Sequence, residues 1–261
     1  EAPATADDIA AMVPMVDEAL VAGALGFSTS RTHLHTVPDG RHVPGTNATA
    51  DELLAFAEVL KRRGGVFESA PRLIGRDDPG EDSNRDEIHM YGDISRLAGC
   101  NVTFGLTQVD RVPDLHLRVL DAVEAENANG ARLRPQTTSR QIGILFGLSG
   151  RTPFDRTASW RALRDLPLAE KVARLSDPLE RATLVADADS TTDSFPFDWT
   201  AFHPLPNDPV RHDLGPDDSI AAEAARRGVS IGEAFVELAL ELDGRRLFTL
   251  PFLNQSLDQA T

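Results

Sequence analysis

Four short apolar runs in this sequence end in the same kind of polar cluster. The clusters are Ser28-Thr29-Ser30-Arg31, Ser69-Ala70-Pro71-Arg72, Thr107-Gln108-Val109-Asp110-Arg111 and Gln136-Thr137-Thr138-Ser139-Arg140. Hydroxyls and amides orient a small polar ligand, and an arginine fork grips a carboxylate through two hydrogen bonds. Ser28, Ser30, Arg31, Arg72, Gln108, Gln136 and Arg140 are therefore the candidate substrate-binding residues. This reading predicts that the arginines converge on one bowl. The alternative for each is an ion pair with an acid on a neighbouring helix.

Two further residues could move protons. Glu68 shares a strand face with Val66, and a carboxylate inside a strand is costly unless it is paired, protonated or bound to metal. A catalytic role and a buried pair with a strand-end arginine both satisfy that demand. His33-Leu34-His35 would present two imidazoles to one side of a strand, the arrangement that binds zinc. These residues follow Arg31, however, where the strand has already ended. His33 is accordingly read as a substrate-side hydrogen-bonding or proton-transfer group, and no metal ligand is assigned.

The elements that must position these groups alternate. Helices are marked by Thr5 with Asp8 ahead of Ile9, Met12, Val13, Val16 and Leu20, and by a capping box of Thr49 and Glu52. Residues 86–98 and 113–129 read as two more, stopped by Gly99 and Gly130. Strand-like runs fall between them at 24–28, 66–69, 101–107 and 131–137. Starts spaced by 42, 35 and 30 residues are the size of βα units in a parallel sheet. The fold class read from this is α/β: an incomplete (β/α)8 barrel first, a doubly wound open sheet second.

The regular pattern covers residues 1–140. Residues 141–217 follow as a Gly-spaced pocket loop (141–150), a charged helical stretch with a break at Asp177-Pro178, and a long irregular excursion. Residues 218–261 hold two late helices, the second opened by Ser230 and Glu233, and a strand at 246–252. Five strand candidates fall short of the eight that close a barrel.

Composition narrows the class. There are 41 acidic and 26 basic residues, a net charge of −15, with 41% apolar content. Such a surface repels phosphate backbones, so nucleic acid is not expected as a partner. No apolar run approaches the ~20 residues that span a bilayer, so no membrane association is expected. The single Cys100 forms no internal disulfide, which fits a reducing cytoplasm. Gly-x-Gly-x-x-Gly, P-loop, Gly-x-Ser-x-Gly and Cys-x-x-Cys motifs are absent, against nucleotide, dehydrogenase and serine-hydrolase chemistry.

Residues 18–30 (EALVAGALGFSTS), with Val43–Thr46, Asp51–Leu54 and Gly64-Gly65, resemble the D-aminoacylase branch of the amidohydrolase superfamily. Residues 217–220 (DDSI) and 225–231 (ARRGVSI) resemble its late helices. The resemblance implies a TIM-type barrel of the metal-dependent hydrolase kind, zinc in the intact parent, and hydrolysis of an N-acyl amide of an amino acid or a similar carboxylated small molecule. It further implies an internal fragment: the family's first-strand His-x-His would precede Glu1 and its late Asp would follow Thr261. Ala70 and Leu106 stand where the family places metal-binding histidines. The segment alone is therefore expected to be inactive and to bind no metal. A non-catalytic barrel relative that binds carboxylated ligands or serves in assembly is the alternative, and a homo-oligomer is compatible with either.

Overall fold

A computed structural model describes residues 3–37, 39–73, 80–109, 112–194, 198–205, 211 and 214–254. The chain divides into two compact units, residues 1–139 and 140–261.

The first unit alternates helices α1 (Ala6–Val21), α2 (Ala50–Arg63), α3 (Gly80–Ala98) and α4 (Leu115–Ala128) with strands β1 (Gly26–Ser30), β2 (Val66–Ala70), β3 (Val102–Gly105) and β4 (Leu133–Gln136). The strands are parallel and lie in the order β1-β2-β3-β4. Each neighbour in sequence is a neighbour in space, as in an arc of a barrel. The strand-order reversal that defines a doubly wound sheet is missing among the described strands. The unit is α/β as read, and its four described strands do not close.

Local chemistry explains these boundaries. Thr5 and Asp8 form the reciprocal box at the start of α1. The α1 stripe fills only partly, since none of its residues is buried. At α2 the Thr49 hydroxyl accepts from the Glu52 amide at 3.3 Å, but the return bond from the Glu52 carboxylate does not form. Gly26 lets β1 approach β2 closely, because a Cβ there would meet the Val66 carbonyl. Pro135 sits on β4, an edge strand where its missing donor costs nothing.

Alternation gives the sheet two unlike faces. Phe27, Phe67, Phe104 and Leu133 point toward the helices, and Phe27 meets Phe56 of α2 at 4.6 Å between ring centroids. Phe67 and Phe104 pack on Tyr91 of α3 at 6.3 and 5.2 Å. The opposite face carries Ser28, Ser30, Glu68, Ala70, Thr103, Arg134 and Gln136, none of them fully buried.

The second unit differs from the sequence reading. Residues 141–150, expected as a loop, contain strand β5 (Ile142–Phe146). β5 pairs antiparallel with β7 (Phe248–Leu253), which pairs antiparallel with β6 (His203–Pro204). The run at 246–252 is thus a strand, but it joins this separate sheet rather than the parallel one. The glycines at 143 and 147 suggested flexibility; the ladder of backbone bonds to β7 fixes the segment instead. Helices α5 (Ala158–Arg164), α6 (Leu168–Ser176), α7 (Pro178–Asp189), α8 (Ile220–Arg227) and α9 (Ile231–Ala239) complete the unit. The break at Asp177-Pro178 is real: the Asp177 carboxylate caps α7, with Pro178 in its first turn. The core packs Phe154, Trp160, Phe202, Phe235 and Phe248 together. No helix among the described residues is long and apolar enough to cross a membrane.

Candidate functional site

The polar face of the parallel sheet aligns a row across all four strands. Ser28 registers with Glu68, Glu68 with Thr103, and Thr103 with Arg134. The next row holds Ser30 beside Ala70, and Gln136 beside Gly105. The Ser28 hydroxyl donates to one Glu68 carboxylate oxygen. This gives the half-buried carboxylate a fixed hydrogen-bond partner on the neighbouring strand.

Around the edge of β1 the face opens into a cleft of about 580 Å³. Ser28, Ser30, Glu68 and Ala70 line it together with His35, Glu52, Met12 and Phe56. Ser30 Oγ lies 2.7 Å from His35 Nδ1, which makes a hydroxyl–imidazole pair at the rim. Glu52 comes from the first turn of α2. Burial pushes its carboxyl above the ordinary value of 4.5, and the positive charge of Arg31 opposes that shift.

The two histidines of His33-Leu34-His35 do not act as a pair. The Thr32 hydroxyl accepts from the Leu34 amide at 3.2 Å, turning the chain between them. His35 reaches Ser30, whereas His33 is exposed with its ring edge-on to His42 at 5.0 Å. Partial burial, then Arg72 and His42, hold the His33 imidazole below its ordinary pKa of 6.5.

Arg31 and Arg72 are brought together, but around an acid. Arg31 Nε lies 2.8 and 3.0 Å from the Glu87 carboxylate oxygens, and its Nη1 donates to the Ala48 carbonyl at 2.6 Å. The side chains of this pair are 9% and 5% exposed. The Arg72 amide donates to Glu87 at 3.2 Å, its guanidinium donates to the Thr46 carbonyl, and the Tyr91 hydroxyl donates to Glu87 at 2.8 Å. Arg31 thus takes the ion-pair alternative stated above and ties the 31–48 loop to α3, whereas the Arg72 guanidinium goes to a loop carbonyl instead. Arg111 lies outside the described residues. Arg140 is exposed in the second unit, where its Nη1 reaches the Gln141 carbonyl at 3.3 Å. Gln108 is half-buried beyond β3, and Gln136 is exposed at the end of β4.

Sequence reasoning passes over Thr103 and Arg134, and weighs His35 only as half of an imidazole pair. Counting alternate positions along 131–137 would have put Arg134 on the face opposite Leu133, and carrying Glu68 across the register would have found Thr103. Glu52 was assigned to a cap, a role its side chain does not fill. Among the described residues no group of three or more His, Cys, Asp or Glu could hold a metal ion. Ala70, on the cleft wall, and Leu106, buried just past β3, offer no ligand atom.

No protein-family model and no curated protein sequence matches the chain. Among solved structures it is similar to D-aminoacylase, described as defining a novel subset of amidohydrolases. The identity is 18% and the TM-score 0.45, over 96% of this chain and 39% of that one. A D-aminoacylase described by its binuclear metal center matches at 18% identity and a TM-score of 0.44, with the same coverage. L-Hydantoinase (dihydropyrimidinase) from Arthrobacter aurescens matches 49% of this chain and 30% of its own, at 16% identity and a TM-score of 0.35. The chain thus spans about two-fifths of the D-aminoacylase chains it is similar to, and no residue's role passes from them to it.

Proposed function

We propose that this chain is the central part of a metal-dependent amidohydrolase that hydrolyses an N-acyl amide of an amino acid or a similar carboxylated substrate. The observation that carries the reading is the row Ser28–Glu68–Thr103–Arg134 on the polar sheet face. Sequence similarity of residues 18–30 to the D-aminoacylase branch supports it.

In this reading Glu68 is the group that takes a proton from the attacking water and returns it to the leaving nitrogen. Ser28 fixes the carboxylate, and Thr103 lies between it and the cation. Arg134 sits two strands from Glu68, about 10 Å at ordinary strand spacing. That distance suits a small amide held between a proton-moving carboxylate and a guanidinium that grips its carboxylate. Gln136, Ser30 and His35 would contact the rest of the substrate. The described residues do not supply a metal centre, so zinc would take its ligands elsewhere in the parent polypeptide.

The missing metal ligands at Ala70 and Leu106 favour a second reading, a barrel relative that binds carboxylated ligands without turnover. The parent protein separates the two. Offered N-acyl amino acids of either chirality, it should release free amine from at least one, and Glu68→Gln should cut that turnover by about 10²–10⁴-fold with binding retained. Calorimetric binding without amine release selects the second reading. Neither binding nor release removes both.

A further inference from the structure

We infer that the strap at residues 199–205 of the second unit is an acid-operated catch, released from β7 when the buried His203 imidazole takes a proton. The backbone grip of the strap on the sheet is short. β6 is two residues long, with His203 opposite Thr249 and Pro204 opposite Phe248. Beside it the Leu205 amide donates to the Leu247 carbonyl at 2.9 Å, and the Ile220 amide donates to the Phe202 carbonyl at 2.8 Å. Side-chain burial therefore carries much of the hold. Phe202 is fully buried, stacked on Phe248 at 5.5 Å and edge-on to Trp199 at 5.4 Å, and His203 next to it is 5% exposed.

An imidazole in that position is tolerated in its neutral form. Its Nδ1 is buried and has no hydrogen-bond partner among the described residues. A proton placed there makes a cationic N–H donor with no acceptor, which costs more than a lost neutral bond. Inaccessibility is what makes the contact a switch, because the charged ring reaches solvent only when the strap moves away. Burial accordingly holds the imidazole below its ordinary pKa of 6.5, against the opposing pull of the Asp218 backbone and the Asp218 charge.

The charges on the elements around the ring are engaged elsewhere. Asp218, on the Pro216–Asp218 turn, accepts from Arg211 at 3.2 Å and from the Gly215 amide at 3.0 Å. β7 carries no titratable side chain. Arg246, just ahead of it, is bonded to Glu241 and donates to the Leu205 carbonyl at 2.7 Å. Asp198 caps the Thr200 amide at 2.8 Å. On α8, Glu223 pairs with Arg226 and Arg227, and the acids of α9 pair with Arg181 and Arg227. The lowered value therefore sets the sign: stability of the closed strap is fully present above 6.5 and is lost as pH falls from there through the folded value.

The test follows amide protection and imidazole resonances of the whole 261-residue chain by NMR between pH 8 and pH 5. Corrected for intrinsic exchange, protection at Leu205 and Ile220 should fall by about tenfold toward pH 5, and the His203 ring should titrate below 6.5. Protection at Leu175 and Leu184, on α6 and α7 of the same unit, should hold. His203→Phe keeps a ring without the proton site and should abolish the acid loss. Asp218→Asn leaves His203 in place and removes the charge that opposes burial, so it should deepen the loss even where His203→Phe fails to fold. Protection that holds to pH 5, or a ring that titrates at or above 6.5, overturns the assignment. So does an acid loss that His203→Phe shares, that Asp218→Asn leaves no deeper, or that is as large at Leu175 and Leu184.

Discussion

The two units hold themselves together by opposite means. In the second, aromatic rings fill the interior: Phe235 stacks on Phe248 at 4.6 Å and meets Phe154 edge-on at 5.2 Å. Dispersion and apolar burial do that work without regard to charge. In the first, a comparable apolar layer lies on one side of the sheet, and a buried Arg31–Glu87 pair anchors the loop after β1. An ion pair is a poor source of stability next to well-packed hydrocarbon, but its geometry is directional. Where hydroxyls, carboxylates and imidazoles must be held at set positions, direction matters more than strength. The unit with the polar face holds a buried Arg–Glu pair, whereas the buried Lys171 of the second unit donates to a backbone carbonyl.

Four perturbations test this contrast, in order of expected size. Phe235→Ala should cost about 3–5 kcal/mol, the penalty of emptying an aromatic core site. Hydrogen exchange at the amides of α9 and β7 should report it, and protection unchanged there would mean that the ring cluster is not what stabilises the unit. Glu87→Gln leaves Arg31 buried without its counter-charge and should cost about 3 kcal/mol. Faster exchange at residues 31–48 is the expected signature. A neutral or stabilising result would mean that the ion pair serves neither stability nor position.

The third is a pH effect at the cleft. The Glu52 carboxyl is raised above 4.5 by burial, so its contribution to stability is fully present below that value and is lost as pH rises through its folded pKa. Glu52→Gln should therefore gain stability relative to the native chain between pH 4 and pH 7, in parallel urea titrations. Smallest is His89, whose hydrogen bond to Glu126 raises its pKa above 6.5. Stability from this contact is present below 6.5 and fades as pH rises through the raised value. His89→Gln should flatten that slope slightly, and less so in high salt, because the ring is largely exposed.

Much of the first unit was legible along the chain. Caps, glycine stops and the spacing of apolar runs located α1 to α4 and β1 to β4, because each of those signals acts over a few residues. The second unit was legible as helices but not as a sheet. β5 and β7 are about a hundred residues apart in sequence and short, and nothing local states that they pair. The Gly-rich run at 141–150 therefore read as a loop. The site divided in the same way. Ser28 and Ser30 were visible as hydroxyls at the end of an apolar run, and Glu68 as a carboxylate inside one. Arg31 and Arg72 carried the right chemistry for gripping a ligand, and only the tertiary structure revealed where that chemistry is used, on Glu87 for Arg31 and on the Thr46 carbonyl for Arg72.

The sequence by itself determined the α/β class, the places of the four parallel strands and the polarity of their ends, since these follow from periodicity and capping within short stretches. The tertiary structure decided which polar groups meet. It put Thr103 and Arg134 in line with Glu68, separated His33 from His35, and closed Arg31 on a helix acid. Register, turns and distant partners set those meetings, and the local order of residues encodes none of them directly.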